Sequence, residues 1–287
     1  MRFGVSVPCF GTGVDAALMA RWASTAEAAG WDGFFLWDHL FAFSAGPVDV
    51  VDPFVTLAAA ACSTESIRLG TLVTPLPRRR PVVLARQTAT LDRLSGGRLV
   101  LGVGSGGGPY EWEYCGEESS PAVRGEMLDE HLELLTRLWT GEPVRHEGRH
   151  YRVAGPDWSA VCHPPPVQRP RIPVWVGGTW PGNRPFARAA RWDGVVPMRQ
   201  DGSWEVADTA SVVRRVRSLR HAEDGPFEVV VPGESEPVDT GRRNRFADHE
   251  QAGATWWVEA VHPWRYGYEE AGEWPLGAME ERLQAGP

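Results

Sequence analysis

RLGTLVTPLPRRRPVVLARQTATLDRLSGGRLVLGVGSG, residues 68–106, decides the fold. It opens on a strand-like run, RLGTLVTP (68–75), and continues as a helical pattern, RPVVLARQTATLDRLSGG (80–97), closed by Gly96-Gly97. It returns to a strand in RLVLGVGSG (98–106). Glycine stops a helix because it takes the left-handed backbone conformation that satisfies the last carbonyls. Two neighbouring strands joined by a helix run parallel, because the crossover brings the chain back to the same end of the sheet.

The rhythm extends in both directions. Upstream lie a strand at FGVSVP (3–8), a helix from Val14 to Ala29 stopped by Gly30, and a strand at GFFLWDH (33–39). A helix follows over 52–64, with Asp52 placed to cap it and Pro53 at its first position. Downstream come a helix over 124–140 and, after an irregular stretch, strands at 173–178, 193–197, 227–231 and 254–261. Helices near 183–191, 203–221, 244–252 and 276–284 separate or follow them. Eight such units predict a (β/α)8 TIM barrel of the α/β class, with an open doubly wound sheet as the alternative. A barrel of this kind takes ~250 residues. The 287-residue chain therefore reads as one domain, 1–287, with an insertion at about 107–171 after the fourth unit.

Composition narrows the function classes. A net charge of −8 argues against nucleic acid and anionic membrane surfaces. The sequence holds no lysine, and isoleucine occurs only at Ile67 and Ile172, a bias that reads as a high-GC genome. Cys9, Cys62, Cys115 and Cys162 lack C-x-x-C spacing and read as free thiols of a reducing compartment. No apolar run approaches the ~18 residues of a membrane span, so a cytoplasmic location is the expectation.

HEGRH (146–150) matches the H-E-x-x-H zinc pattern, which works only when both histidines share a helical face. Gly141, Pro143 and Gly148 argue against a helix, and the apolar alternation predicts a β-hairpin over 142–153. Gly148 is expected to supply a positive φ at its turn. No metal site is expected.

In a barrel the chemistry lies among the loops after the strand C-termini. That rule picks Trp37-Asp38-His39, Thr71 to Pro75, Ser105 to Gly108, Gly177-Gly178-Thr179 and Pro197-Met198-Arg199. The two glycine-rich turns offer backbone N–H groups suited to a phosphate, although tight turns need glycine anyway. Neither turn matches G-x-G-x-x-G or a P-loop, which favours a mononucleotide phosphate over NAD or ATP. Asp38-His39 is a histidine beside an acid at a strand end, read either as a proton-transfer pair or as a structural loop cap.

Taken together, AEAAGWDGFFLWDHL (26–40), the 69–106 block with its TLDRLSGGR run and DEHLELLTRLWTGEPVRHEGRHYRV (129–153) resemble the bacterial luciferase-like superfamily. So do PPPVQRPRIPVWVGG (164–178), AARWDGVVPM (189–198) and AGATWWVE (252–259). The resemblance implies a TIM barrel that binds coenzyme F420 or FMN at its mouth. It places Gly106, Gly107, Gly177 and Gly178 near the cofactor phosphate, with Thr179 and Met198 also at the cofactor. His39 lies on the reactive side of the ring, with Asp38 holding it. Thr71-Leu72 matches a bond that is often a non-proline cis peptide behind the ring. Two departures stand out. Gly107 replaces a glutamate found in some sugar-phosphate dehydrogenases of the family, with Glu111 the nearest acid. Arg78-Arg79-Arg80 is read either as a substitute for a missing phosphate-binding lysine or as an exposed basic loop.

The resemblance favours an F420-dependent oxidoreductase acting on a small-molecule substrate, with a homodimer expected. The alternatives are an FMN monooxygenase served by a flavin reductase and a non-catalytic flavin-binding protein. Trp180, Trp256, Trp257, Trp264 and Trp274 are candidates for an aromatic substrate pocket, or for packing.

Overall fold

The computed structural model describes residues 1–42, 47–235, 241–269 and 272–287. The first half alternates β1 (Arg2–Val7), α1 (Ala16–Ala28), β2 (Gly33–Leu36), α2 (Pro53–Cys62), β3 (Arg68–Pro75), α3 (Pro81–Leu94) and β4 (Leu99–Gly104). Then come α4 (Pro121–Leu138) and a small ladder of β5 (His146–Glu147) with β6 (Arg152–Val153). The second half alternates β7 (Val174–Thr179), α5 (Arg184–Ala189), β8 (Gly194–Met198), α6 (Val206–Arg217) and β9 (Glu228–Gly233). It ends with α7 (Arg242–Gln251), β10 (Trp256–Ala260) and α8 (Leu276–Gln284).

Eight parallel strands close in the order β1-β10-β9-β8-β7-β4-β3-β2. The barrel expectation is met, and the open-sheet alternative is excluded by the β1–β10 pairing from Arg2↔Trp256 to Ser6↔Ala260. Local chemistry sets the boundaries. Asp52 Oδ1 accepts from the Phe54 and Val55 amides, both at 2.9 Å, and Pro53 opens α2. Asp15 caps α1 in the same manner, through the Leu18 amide at 2.6 Å.

Residues alternate across each strand, so one set fills the barrel and the other packs under the helices. The lower interior is aromatic. Phe35, Trp175 and Trp256 meet with ring centroids 5.3–5.9 Å apart, and Val100, Val196, Val230 and Val258 complete the filling. Toward the C-terminal end the interior positions become small: Ser6 stands opposite Ala260, and Gly104 and Gly177 lie on the same face of β4 and β7. A barrel that is solid below and sparse above is a seat.

Between β3 and β4 the register advances three residues on β3, from Thr71 to Thr74, while β4 advances two, from Leu101 to Val103. The bulge turns both Leu72 and Val73 toward the barrel interior, where they pack half-buried against the aromatic cluster. The non-proline cis peptide joins Leu72 to Val73, one bond beyond the Thr71-Leu72 expectation.

HEGRH is not helical. His146 and Glu147 form one strand of the hairpin, and the loop behind them wraps a carboxylate of α4. Glu130 accepts from the amides of Arg149, His150 and Tyr151 at 3.1, 3.0 and 2.9 Å, and His146 Nε2 lies 2.8 Å from Glu130 Oε1. His150 Nε2 is 3.2 Å from Glu126. Gly148 does not take the positive φ expected of it. It is needed for close approach, because a Cβ there would lie 1.9 Å from Glu130 Oε1.

Candidate active site

His39 follows β2 at the C-terminal mouth, its side chain 25% exposed. Phe10, Trp37 and His39 meet edge to face, at centroid distances of 5.7–6.3 Å, and fix the ring from one side. Trp37 is itself held by its indole N–H, which donates to Ser6 Oγ at 2.6 Å, and by stacking on Trp264.

Asp38 does not hold His39. Its carboxylate, 0% exposed, accepts from Arg78 Nη2 at 2.8 Å and from Arg79 Nη2 at 2.7 and 2.8 Å. The residue beside the imidazole is Glu111, whose Oε1 lies 3.3 Å from His39 Nδ1 and accepts the Leu40 amide at 2.6 Å. Arg78 links the two acids: Nη1 donates to Glu111 Oε2 at 2.7 Å, and Nη2 also donates to the Asp38 carbonyl at 2.7 Å. The arginine run is therefore neither an exposed loop nor a phosphate clamp at its first two positions. Arg78 and Arg79 are internal counter-ions, and of the three only Arg80 is exposed. Two guanidiniums offset two carboxylates, which is how four buried charges coexist.

Burial works to raise the Glu111 carboxyl, but the His39 hydrogen bond, the Arg78 charge and the Leu40 amide outweigh it and hold the group below its ordinary value. Ionised Glu111 is an acceptor only, so Nδ1 of His39 carries the proton and Nε2 is the basic nitrogen. A folded value below the unfolded one stabilises the protein above the unfolded pKa, and that stabilisation is lost as pH falls through the folded value. Urea unfolding of wild type and Glu111→Gln between about pH 3 and 6 measures this contribution. The wild-type stability falls more steeply with acid than that of the variant; equal slopes would show that Glu111 is not so perturbed.

The remaining sequence candidates divide by face. Thr71 is 1% exposed and donates to the Gly102 carbonyl at 3.1 Å, so it braces the bulge from within the barrel wall. Leu72 and Val73 are the half-buried apolar surface of that bulge at the mouth. Gly177 faces Val73, where a Cβ would meet its methyl at 3.1 Å, whereas Gly178 faces outward against Pro185, where a Cβ would lie at 2.4 Å. Gly106 takes φ +75° with Trp112 directly over it. A Cβ on Gly107 would have nothing within 4 Å. Thr179 lines a cleft of about 670 Å³ with Trp180, Arg199 and Gln200, and Met198, at the end of β8, is 44% exposed.

Of the tryptophans, Trp256, Trp257 and Trp274 are buried, in keeping with the packing alternative rather than the substrate-pocket one. Trp264 and Trp180 remain near the mouth, in the loops after β10 and β7.

A flat, partly apolar cofactor fits these residues. The bulge gives an apolar floor, Gly107 opens space beside a backbone turn, and a histidine stands at the edge. Glu111, Arg78 and Arg79 were all visible in the sequence, but not their pairing with Asp38 and His39. Glu111 lies in the aromatic run YEWEY (110–114), and an acid amid large apolar neighbours is the one available hint of a buried, partnered carboxylate.

A family model described as luciferase-like monooxygenase matches residues 1–238. An uncharacterized protein of Mycobacterium tuberculosis is 40% identical over 153 residues, 53% of this chain and 51% of that protein. The chain thus spans about half the length of the curated relatives it matches. A monooxygenase of Streptomyces bottropensis superposes with a TM-score of 0.75 at 22% identity, covering 99% of this chain and 98% of that one. The coenzyme F420-dependent tetrahydromethanopterin reductase of Methanopyrus kandleri superposes with a TM-score of 0.71 at 16% identity, with the same coverage. At these identities the likeness of the structures shows the fold.

Proposed function

The chain belongs to the luciferase-like monooxygenase family, and on that premise we propose that it is an oxidoreductase using coenzyme F420 to pass a hydride to or from a small organic substrate. The observation that carries this reading is His39 at the mouth, oriented by ionised Glu111 beside the Leu72-Val73 floor.

Leu72 and Val73 would support the flat ring, and the backbone at Gly106-Gly107 would receive its phosphate. Bound deazaflavin supplies the hydride acceptor or donor, and the protein supplies position and electrostatics. His39 moves the accompanying proton: Nε2 takes it from a substrate hydroxyl during oxidation, or returns it to a carbonyl oxygen during reduction. Glu111 keeps Nδ1 protonated and fixes the ring plane. Trp37, Trp264 and Phe10 keep water from the far side of the imidazole.

The second reading is an FMN-dependent monooxygenase fed by a separate reductase, and the family's description as luciferase-like monooxygenase favours it. Anaerobic titration of the apo-protein with coenzyme F420 and with FMN, followed by tryptophan fluorescence, separates the two. The proposal expects micromolar F420 binding at least ~10-fold tighter than FMN, a free-energy difference of ~1.4 kcal/mol. Preference for FMN transfers the reading to the monooxygenase, and binding of neither overturns both.

A further inference from the structure

Two histidine–glutamate pairs meet the indole of Trp37 at the mouth. One is His39 with Glu111. The other comes from the last two strands of the barrel: His262 lies in the loop after β10, and Glu234 directly follows β9. The His262 ring is 6.1 Å from the Trp37 ring and 5.2 Å from that of Trp264. Trp264 in turn stacks on Trp37 at 6.0 Å, with 12° between the planes, and His39 lies 6.2 Å from the same Trp37 ring.

The pairs differ in exposure and in charge. Glu111 is 2% exposed and is bridged by Arg78. The Glu234 side chain is 49% exposed, and among the described residues its carboxylate has His262 as its one partner, with Oε1 3.1 Å from Nε2. His262 Nδ1 accepts the Arg265 amide at 3.2 Å, which caps the short helical turn Pro263–Tyr266. An imidazole that accepts through Nδ1 carries its proton on Nε2 and is neutral, so the pair keeps the full charge of its carboxylate. The His262 hydrogen bond holds the Glu234 carboxyl below its ordinary value against the effect of burial, and the charge of nearby Arg265 adds to this. Arg265 forms no ion pair with Glu234: its guanidinium donates to Glu259 and to the carbonyls of Ser235 and Ala260.

An ionised carboxylate accepts hydrogen bonds and donates none. The open side of Glu234 therefore calls for a donor, which disfavours a carboxylate or phosphate on the ligand. One carboxylate does not make a metal site, and among the described residues no three histidine, cysteine, aspartate or glutamate side chains converge to hold a cation. Among organic donors, an ammonium gains a charge-assisted hydrogen bond and attraction to indole faces, both of which a neutral hydroxyl lacks. Trp37, Trp264 and His262 each keep part of their surface exposed, so a ligand held by Glu234 can reach them.

We propose that Glu234, set in place by His262, recognises a substrate bearing a primary amine, whose ammonium meets the carboxylate while its apolar body lies against Trp37 and Trp264. The inference rests on the oxidoreductase reading above for the fate of that molecule: the carbon that exchanges hydride lies toward His39, and the ammonium is a handle that takes no part in the chemistry.

The probe is phenethylamine, titrated into the full chain by calorimetry with and without coenzyme F420. Phenethyl alcohol, which lacks the charge, and phenylacetate, which reverses it, are titrated beside it. The ¹⁵N indole signals, assigned with Trp37→Phe and Trp264→Phe, locate the binding. Saturable amine binding is expected, at least about 10-fold tighter than that of either comparison compound. Trp37 and Trp264 shift, while Trp175 and Trp256 in the barrel interior stay in place. Glu234→Gln weakens the amine by about 10-fold or more and leaves the alcohol within about two-fold of wild type. Absent amine binding, equal affinity for the alcohol or the carboxylate, shifts confined to other tryptophans, or an unaffected Glu234→Gln would each overturn the proposal. If coenzyme F420 does not bind, the oxidoreductase reading fails in that titration, and the amine comparison on the chain alone still decides the role of Glu234. If Glu234→Gln does not fold, the three-ligand comparison on the wild type decides it.

Discussion

Replacing His39 by alanine lowers turnover by about 10²–10⁴-fold, the usual worth of a positioned acid–base group, and leaves cofactor affinity within a few-fold of wild type. The asymmetry follows from geometry. The floor that would carry the ring is the Leu72-Val73 bulge, and the phosphate would be received by backbone at Gly106-Gly107, neither of which depends on the imidazole. What His39 contributes is a ring nitrogen at the mouth, with Glu111 3.3 Å from the other ring nitrogen. Single-turnover kinetics alongside a cofactor titration separate the two quantities. Unchanged turnover removes His39 from the chemistry, and a parallel loss of affinity would make it part of the binding surface. Glu111→Gln acts through the histidine: because the amide donates as well as accepts, the pH profile of turnover shifts as well as its height.

Arg78→Ala is the most destabilising single change expected here. It takes one cation from a cluster in which Asp38 and Glu111 are 0% and 2% exposed. Arg79 still reaches Asp38, but among the described residues Glu111 keeps only the Leu40 amide and His39. Breaking a buried pair from one side costs ~3–5 kcal/mol, which lowers the melting temperature by on the order of 10 °C for a chain of this size. Arg78→Lys recovers little, because a single ammonium does not bridge two carboxylates and a carbonyl as the planar fork does. Thermal unfolding by circular dichroism tests both variants. Melting temperatures within a degree or two of wild type would mean that water replaces the guanidinium, and that the cluster is not the buried frame described above.

The barrel was legible because its signals are local and repeated. Asp52-Pro53 opens α2, Gly96-Gly97 follows α3, and each strand between them is a short apolar run. The helical and strand periods agree with the parallel topology along the whole chain, so errors at individual boundaries did not accumulate. The strand-end rule also brought out His39, Leu72, Gly107, Gly177, Thr179 and Met198, all of which do lie at or near the mouth.

What stayed hidden depends on contacts distant in sequence. Asp38 adjoins His39 in the chain, yet their carboxylate and imidazole serve different partners, and the effective acid comes from Glu111, 72 positions away. The arginine run looked like a solvated loop because three adjacent charges usually are one. Only the fold shows that the two carboxylates they neutralise are buried. The bulge shifted the cis bond by one residue from its expected place, because a strand with one extra residue looks like any other strand in sequence. Gly148 misled in a similar way. A turn glycine suggests positive φ, and here it makes room for a carboxylate from α4.

A flat redox cofactor resting on the Leu72-Val73 bulge with His39 at its edge can be seen in a crystal structure of the chain with coenzyme F420. The expected result is the ring within ~4 Å of the Leu72 and Val73 side chains, the His39 imidazole facing the ring's reactive carbon, and the phosphate against the Gly106-Gly107 backbone. A ring bound elsewhere, or bound at the mouth with His39 turned away onto Glu111 and out of reach of any substrate position, would contradict it.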